Sequence, residues 1–129
     1  MEANLRLLDR VHLGIRMHEE LDRARRYKRL FSVLVFEEVP ASDGLPIHTK
    51  MARALAAMFA VVRISDLVAM PYDDTLVVLL VETDRRGAHD ALFRIRTMIA
   101  DRAGTWRVTT LTFPEDSDAI EGAEFLRAA

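Results

Sequence analysis

Arg63 and Asp66 stand three residues apart, separated by Ile64 and Ser65. A guanidinium donates two parallel hydrogen bonds to a planar acceptor edge or a phosphate, and a carboxylate accepts from paired N–H groups. The pair could grip a planar ligand. It could equally close a turn, with Arg63 on helix C-terminal carbonyls and Asp66 as the cap. Asp73 and Asp74 follow Pro71 and Tyr72, which reads first as a polar turn and second as a cation site. Glu37 is a carboxylate at the end of the apolar run 31–36. His12 and His18 fall on different faces of a helix and make no metal pair, while His48 and His89 have no evident ligand partners. No nucleophile and base can be assembled from local spacing. The absence of cysteine excludes disulfides and thiolate metal sites, and neither metal nor cofactor is expected.

These side chains need a frame to position them. The 129 residues suit one domain, with residues 1–29 as a leading helix and 30–129 as the core. Half of the chain is apolar and 29% is charged, as in a folded globular protein. A net charge of −2 gives no global pull toward nucleic acid or an anionic membrane. The longest nearly uncharged apolar run, 54–62, is far short of the roughly 20 residues that a membrane span needs. Glu2 and the lack of a long apolar run argue against a signal peptide, so a cytoplasmic, membrane-free protein is expected.

Residues 4–29 contain no proline and one glycine, and their apolar positions recur at helical spacing. Leu13, Met17, Leu21 and Ala24 form one stripe; Leu5, Leu8 and Ile15 form a second, with Leu7 and Val11 between. That belt is wider than one core contact requires. The run 31–36 is short, β-branched and almost wholly apolar, the pattern of a strand buried on both faces. A loop at 41–46 precedes a helix over 51–62, whose only nearby charges are Lys50 and Arg53. Strands are expected at 67–70 and 76–81, joined by a turn at 71–74. Asp84 can cap a further helix, in which Ala88, Leu92, Ile95 and Ile99 repeat on one face, with Gly104 at the end of that region. A strand at 106–113 and a short helix through Ile120, Ala123 and Leu126 complete an α+β order. It is a leading helix, then βαββαβ, then a terminal helix, which predicts a mostly antiparallel or mixed sheet flanked by helices, with the order alone placing them on one face.

Several local matches in that order resemble the GGDEF, or diguanylate cyclase, family. Arg23-Ala24-Arg25-Arg26 before the run 31–36 looks like the family's basic helix end and first strand. Arg63-x-x-Asp66-x-Val68-Ala69 resembles the segment entering the signature hairpin, and 112–116 and 124–128 resemble its last loop and closing helix. The resemblance implies that Glu37 occupies the family's first metal-binding position. It also implies that Tyr72-Asp73-Asp74-Thr75-Leu76 stands where the family carries Gly-Gly-Asp/Glu-Glu-Phe.

These departures bear on chemistry. Phosphoryl transfer depends on positioning and on divalent metal neutralising charge, and magnesium takes oxygen ligands that normally include one or two carboxylates. Thr75 offers a neutral hydroxyl in place of a carboxylate. Tyr72 adds bulk and Asp73 adds negative charge where glycines would let backbone approach phosphate. Two like charges about 4 Å apart repel by roughly 1 kcal/mol in water and about 4 at intermediate dielectric. The segment after Glu37 also lacks the family's base-positioning residues.

The resemblance and the departures together predict a catalytically inactive GGDEF-like domain, not an enzyme, serving bacterial signalling as a protein–protein interaction or dimerisation module. Its expected interaction surface is Leu5, Leu7, Leu8, Val11 and Ile15. In active members the Arg-x-x-Asp motif holds inhibitory cyclic di-GMP. The alternative reading is therefore a cyclic di-GMP receptor acting through Arg63 and Asp66. The basic cluster Arg23, Arg25, Arg26, Lys28 and Arg29 reads as a solvated helix end, not as a nucleic-acid site.

Overall fold

The apolar run after Leu30 becomes the central strand of a sheet. The computed structural model describes residues 7–40, 44–99 and 105–123. In chain order the elements are β1 (Leu7–Leu8), α1 (Arg10–Tyr27), β2 (Phe31–Glu38), α2 (Ile47–Val61), β3 (Leu67–Tyr72), β4 (Thr75–Val81), α3 (Arg85–Ile99), β5 (Trp106–Phe113) and α4 (Ser117–Glu121). The strands form one five-stranded sheet in the order β1-β3-β4-β2-β5. β2 pairs antiparallel with both β4 and β5 along its length, and β3 pairs antiparallel with β4. The parallel pairing of β1 with β3 makes the sheet mixed.

Side chains alternate across β2, so its two faces feed two separate cores. Phe31 and Val33 meet Leu13, Met17, Leu21 and Ala24 of α1 and Ile120 of α4 on one side. Leu34 and Phe36 meet Met51, Ala54 and Met58 of α2 and Ala88 and Ile95 of α3 on the other. The helices therefore cover both faces, a correction to the expectation of one. The physical reason lies in β4 as well as β2. Thr75–Leu80 is buried throughout, and a strand without a polar face needs cover on both sides. Stacked Phe31 and Phe113 rings close the first core, and Phe36 and Trp106 meet edge-on in the second.

The leading helix is shorter than its periodicity suggests. Asp9 has extended backbone and caps α1 by accepting a 2.8 Å bond from the His12 N–H, so the helix begins at Arg10. Leu7 and Leu8 instead form a strand opposite Val68 and Ala69. Leu8 packs against the first core, whereas Val11 and Ile15 on α1 stay about half exposed. Leu5, Gly104 and Leu126 lie outside the described residues. At the other end of α1, Lys28 adopts a left-handed backbone (φ 55°) and its N–H caps the Ala24 carbonyl.

The basic helix end is paired with acids: Arg23 to Glu20, Arg26 to Asp22, Arg25 to Glu121 and Arg29 to Glu82. No helix among the described residues is long and apolar enough to cross a membrane.

The left-handed backbone at Lys28 costs a residue with a Cβ about 1 kcal/mol, and glycine is the usual occupant of such a cap. Lys28→Gly is expected to raise stability by about 0.5–1 kcal/mol, read as an increased urea midpoint with an unchanged slope. Asp9→Ala should lower the urea midpoint in the same assay, because the His12 N–H loses its cap.

Candidate functional site

The residues singled out by sequence fall at two places, at opposite ends of the β3–β4 hairpin. The first is its turn. Tyr72 pairs with Thr75, leaving Asp73 and Asp74 as a two-residue connection in which both side chains are exposed. Pro71 is tolerated within β3 because β1 reaches only Val68 and Ala69, so the outer side of this stretch needs no ladder bond. The register shift between Ala69 and Tyr72 falls at the same stretch.

Tyr72, Thr75 and Glu37 share the sheet face that α1 covers, because Thr75 opposes both Tyr72 and Glu37. Above them the Arg10 guanidinium lies 5.5 Å from the centre of the Tyr72 ring, a cation–π contact from the first turn of α1. The buried Thr75 hydroxyl donates to Asp74 Oδ1 at 2.9 Å, and the Asp74 carbonyl accepts from the Glu38 N–H at 3.0 Å. Glu37 is exposed, with Arg107 opposite it on β5. Leu76 points to the other face, where it is fully buried in the second core. Among the described residues, no three or more His, Cys, Asp or Glu side chains are placed to hold a metal ion.

The second place is Arg63 and Asp66, which the fold brings together between the end of α2 and the start of β3. Asp66 does not project into solvent: its side chain is only 1% exposed. Its carboxylate accepts from the Arg63 N–H at 2.8 Å, Arg63 Nε at 3.2 Å, Arg63 Nη2 at 3.1 Å and the Val81 N–H at 3.0 Å. Arg63 Nη2 also donates to the Val81 carbonyl and to Thr83 Oγ1. The hydrogen bond and charge of Asp66 raise the Arg63 pKa further, so the guanidinium is permanently charged. The pair is a clamp that ties the entry of β3 to the end of β4. Beside it a cavity of about 210 Å³ is lined by Arg63, Thr83, Gly87, Asp90 and Arg94, among others. A Cβ at Gly87 would stand 2.9 Å from Thr83 Cγ2, so Thr83 would have to shift to admit one.

Sequence reasoning missed several polar contacts. Lys50 is a buried cation, 2.9 Å from Glu38, with side chains 2% and 10% exposed. The advance signal was that only Lys50 and Arg53 are charged in an otherwise apolar helix. Asp116, at the start of α4, accepts from the Thr112 N–H at 2.9 Å and from Arg85 at 2.7 Å. These bonds, the backbone one foremost, hold its carboxyl below the ordinary range.

Comparison with solved structures places this arrangement. A diguanylate cyclase (DGC) protein from Thermotoga maritima superposes with a TM-score of 0.77 at 18% identity, covering 98% of this chain and 97% of that one. The chain has the fold of a GGDEF domain. The diguanylate cyclase SiaD of Pseudomonas aeruginosa, solved in complex with its activator SiaC, superposes with a TM-score of 0.69 at 18% identity. That match covers 95% of this chain and 55% of SiaD. The GGDEF domain of DgcB from Caulobacter crescentus, solved in complex with c-di-GMP, gives 0.66 at 10% identity over 82% of this chain and 69% of that one. No family model and no curated protein matches the sequence. In this GGDEF fold the β3–β4 hairpin, where the signature was expected, is a real two-stranded hairpin with its turn at Asp73-Asp74.

Asp66→Ala is expected to cost about 2–4 kcal/mol, because it strands buried donors and breaks a buried ion pair. Asp73→Ala in the exposed turn should stay within about 0.5 kcal/mol in the same urea titration. For Asp116 the folded pKa is depressed, so its contribution is present above the unfolded value near 3.9 and is lost as pH falls toward the folded one. Wild type should therefore exceed Asp116→Asn in thermal midpoint at neutral pH, and the two should converge below about pH 4.

Proposed function

We propose that this chain is a GGDEF-fold signalling domain without cyclase activity, which works by docking to another protein or to a second copy of itself. The observation that carries the reading is the chemistry of the hairpin turn. Two exposed carboxylates, Asp73 and Asp74, stand where a triphosphate would need backbone alone, and the Thr75 hydroxyl is closed onto Asp74. Tyr72 is engaged by Arg10, which leaves Glu37 as the remnant of the expected metal position. A triphosphate brought to this turn would meet repulsion from both aspartates.

The docking surface is the outer edge formed by β1 and α1. Leu7, Val11 and Ile15 are 36%, 50% and 46% exposed there, apolar side chains that belong to neither core. Leu8 is withdrawn from this surface because it packs inward. That the related SiaD fold was solved with a protein activator supports a regulatory domain that is read by another protein.

A second reading, cyclic di-GMP binding, is supported by the half-exposed Arg63 guanidinium beside the cavity that Arg94 also lines, and by the c-di-GMP complex of DgcB. Asp66 weighs against it, since all of its acceptor positions are engaged within the fold.

Incubation with GTP and magnesium is expected to yield no cyclic di-GMP, and product formation would end the inactive reading. Light scattering of the wild type against Val11→Glu/Ile15→Glu should show the dimer, or a complex with a captured partner, lost in the variant. A wild type that is strictly monomeric and partner-free would count against this surface. Calorimetric titration with cyclic di-GMP, using Arg63→Ala as the control, separates the second reading: saturable heat lost in the variant would establish it.

A further inference from the structure

We propose that the seam between α2 and α3 is a docking groove for an acidic, amphipathic segment of a partner protein. The two helices meet in opposite order. Arg53 and Ala57 lie beside Met98 and Ile99, while Val61 lies beside Asp90, Ala91 and Arg94. Over the first of these meetings a hollow of about 370 Å³ is lined by Arg53, Ala56, Ala57, Met98 and Ile99. Arg94 precedes Met98 by one helical turn, about 6 Å along the axis, so both stand on the same strip of α3. Met98, on the α3 side of the hollow, is 56% exposed. The alanines of α2 keep the floor low, and Met98 and Ile99 of α3 form a wall.

Charge selects the occupant. α2 and α3 together carry six basic residues and one acidic residue, Asp90, in a chain whose net charge is −2. Lys50 is neutralised by Glu38 and Arg85 by Asp116, and Arg96 is also engaged within the fold. The guanidinium groups of Arg53, Arg86 and Arg94 have no ion-pair or hydrogen-bond partner among the described residues. They are exposed, and Arg53 and Arg94 flank the apolar hollow along the seam. A helix laid in this groove would place one or two large apolar side chains over Ala56 and Met98 and carboxylates against Arg53 and Arg94. Asp90, the opposing carboxylate, would repel an acidic segment, but Arg53 and Arg94 outnumber it along the seam, so the arginines set the preference. A nucleic acid would leave Met98 unused, and a flat anionic membrane would leave the hollow unfilled. The proposal concerns a different face from the β1–α1 edge and stands whether or not that edge is used.

The test is a titration of the full chain with a labelled amphipathic helical peptide, leucine on one face and glutamate on the other, beside its lysine counterpart. The glutamate peptide is expected to bind saturably, with affinity falling as salt rises, and backbone amide shifts should concentrate at Ala56, Ala57, Arg94 and Met98. Arg53→Glu, Arg94→Glu and Met98→Glu should each weaken binding by about tenfold or more, and Arg16→Glu on α1 should leave it unchanged. These side chains are exposed, so circular dichroism should match wild type; Arg94→Ala gives a milder check if a reversal disturbs folding. No binding, equal binding of the lysine peptide, or binding that survives the reversals would overturn the proposal. So would tighter binding to phosphatidylserine vesicles through the same residues.

Discussion

β2 has no polar face, and the rest of the molecule follows from that constraint. Phe31–Glu38 pairs along both edges, which satisfies its backbone, but its side chains above and below the sheet still have to be covered. The first face recruits α1 and α4 and the second recruits α2 and α3. Each helix then needs a stripe only wide enough for its own half of the core. That frees the outer surfaces of the helices for other uses, and it explains how apolar groups can remain outside without disturbing the core.

The hairpin shows how one strand pair can carry two unrelated requirements. At its turn, the Thr75 hydroxyl is spent on Asp74 and the Tyr72 ring meets Arg10. Its open end is held by Asp66, which reaches from the entry of β3 to the backbone of β4. A carboxylate with every acceptor position engaged is a structural part first. Arg63 can look outward only while Asp66 keeps facing inward, so whatever the guanidinium does in solution is conditional on an intact clamp.

Strand and helix order was legible because burial imposes periodicity, and β2, β4, β5, α2 and α3 each fall at or within a few residues of where their apolar patterns put them. Asp84 was readable as the cap of α3, and it does accept from the Gly87 N–H. The two-residue strand Leu7–Leu8 was not readable, because its existence depends on Val68 and Ala69, far away in sequence. Leucines before a capped helix look the same whether they continue the helix or pair with a sheet. The cover on both faces was implicit in the unbroken apolar run of β4 but was outweighed by the simpler layer expected of βαββαβ. At the candidate site, the residue types at Arg63, Asp66 and Tyr72–Leu76 were plain. Their partners were not, since the contacts of Tyr72 with Arg10, Asp66 with Val81 and Lys50 with Glu38 join distant parts of the chain.

The ion pair between Lys50 and Glu38 has a practical side. Of the eighteen basic residues in the chain, only Lys28 and Lys50 are lysines. With Lys50 enclosed at 2% exposure, Lys28 is the one side-chain amine open to solvent. Amine-directed chemistry, whether enzymatic acylation or a bench reagent, therefore meets this domain at a single side chain on the left-handed cap of α1. The same scarcity makes a surface rich in guanidinium nearly silent to lysine modification, so its charge is fixed by the sequence and is not open to adjustment by acetylation.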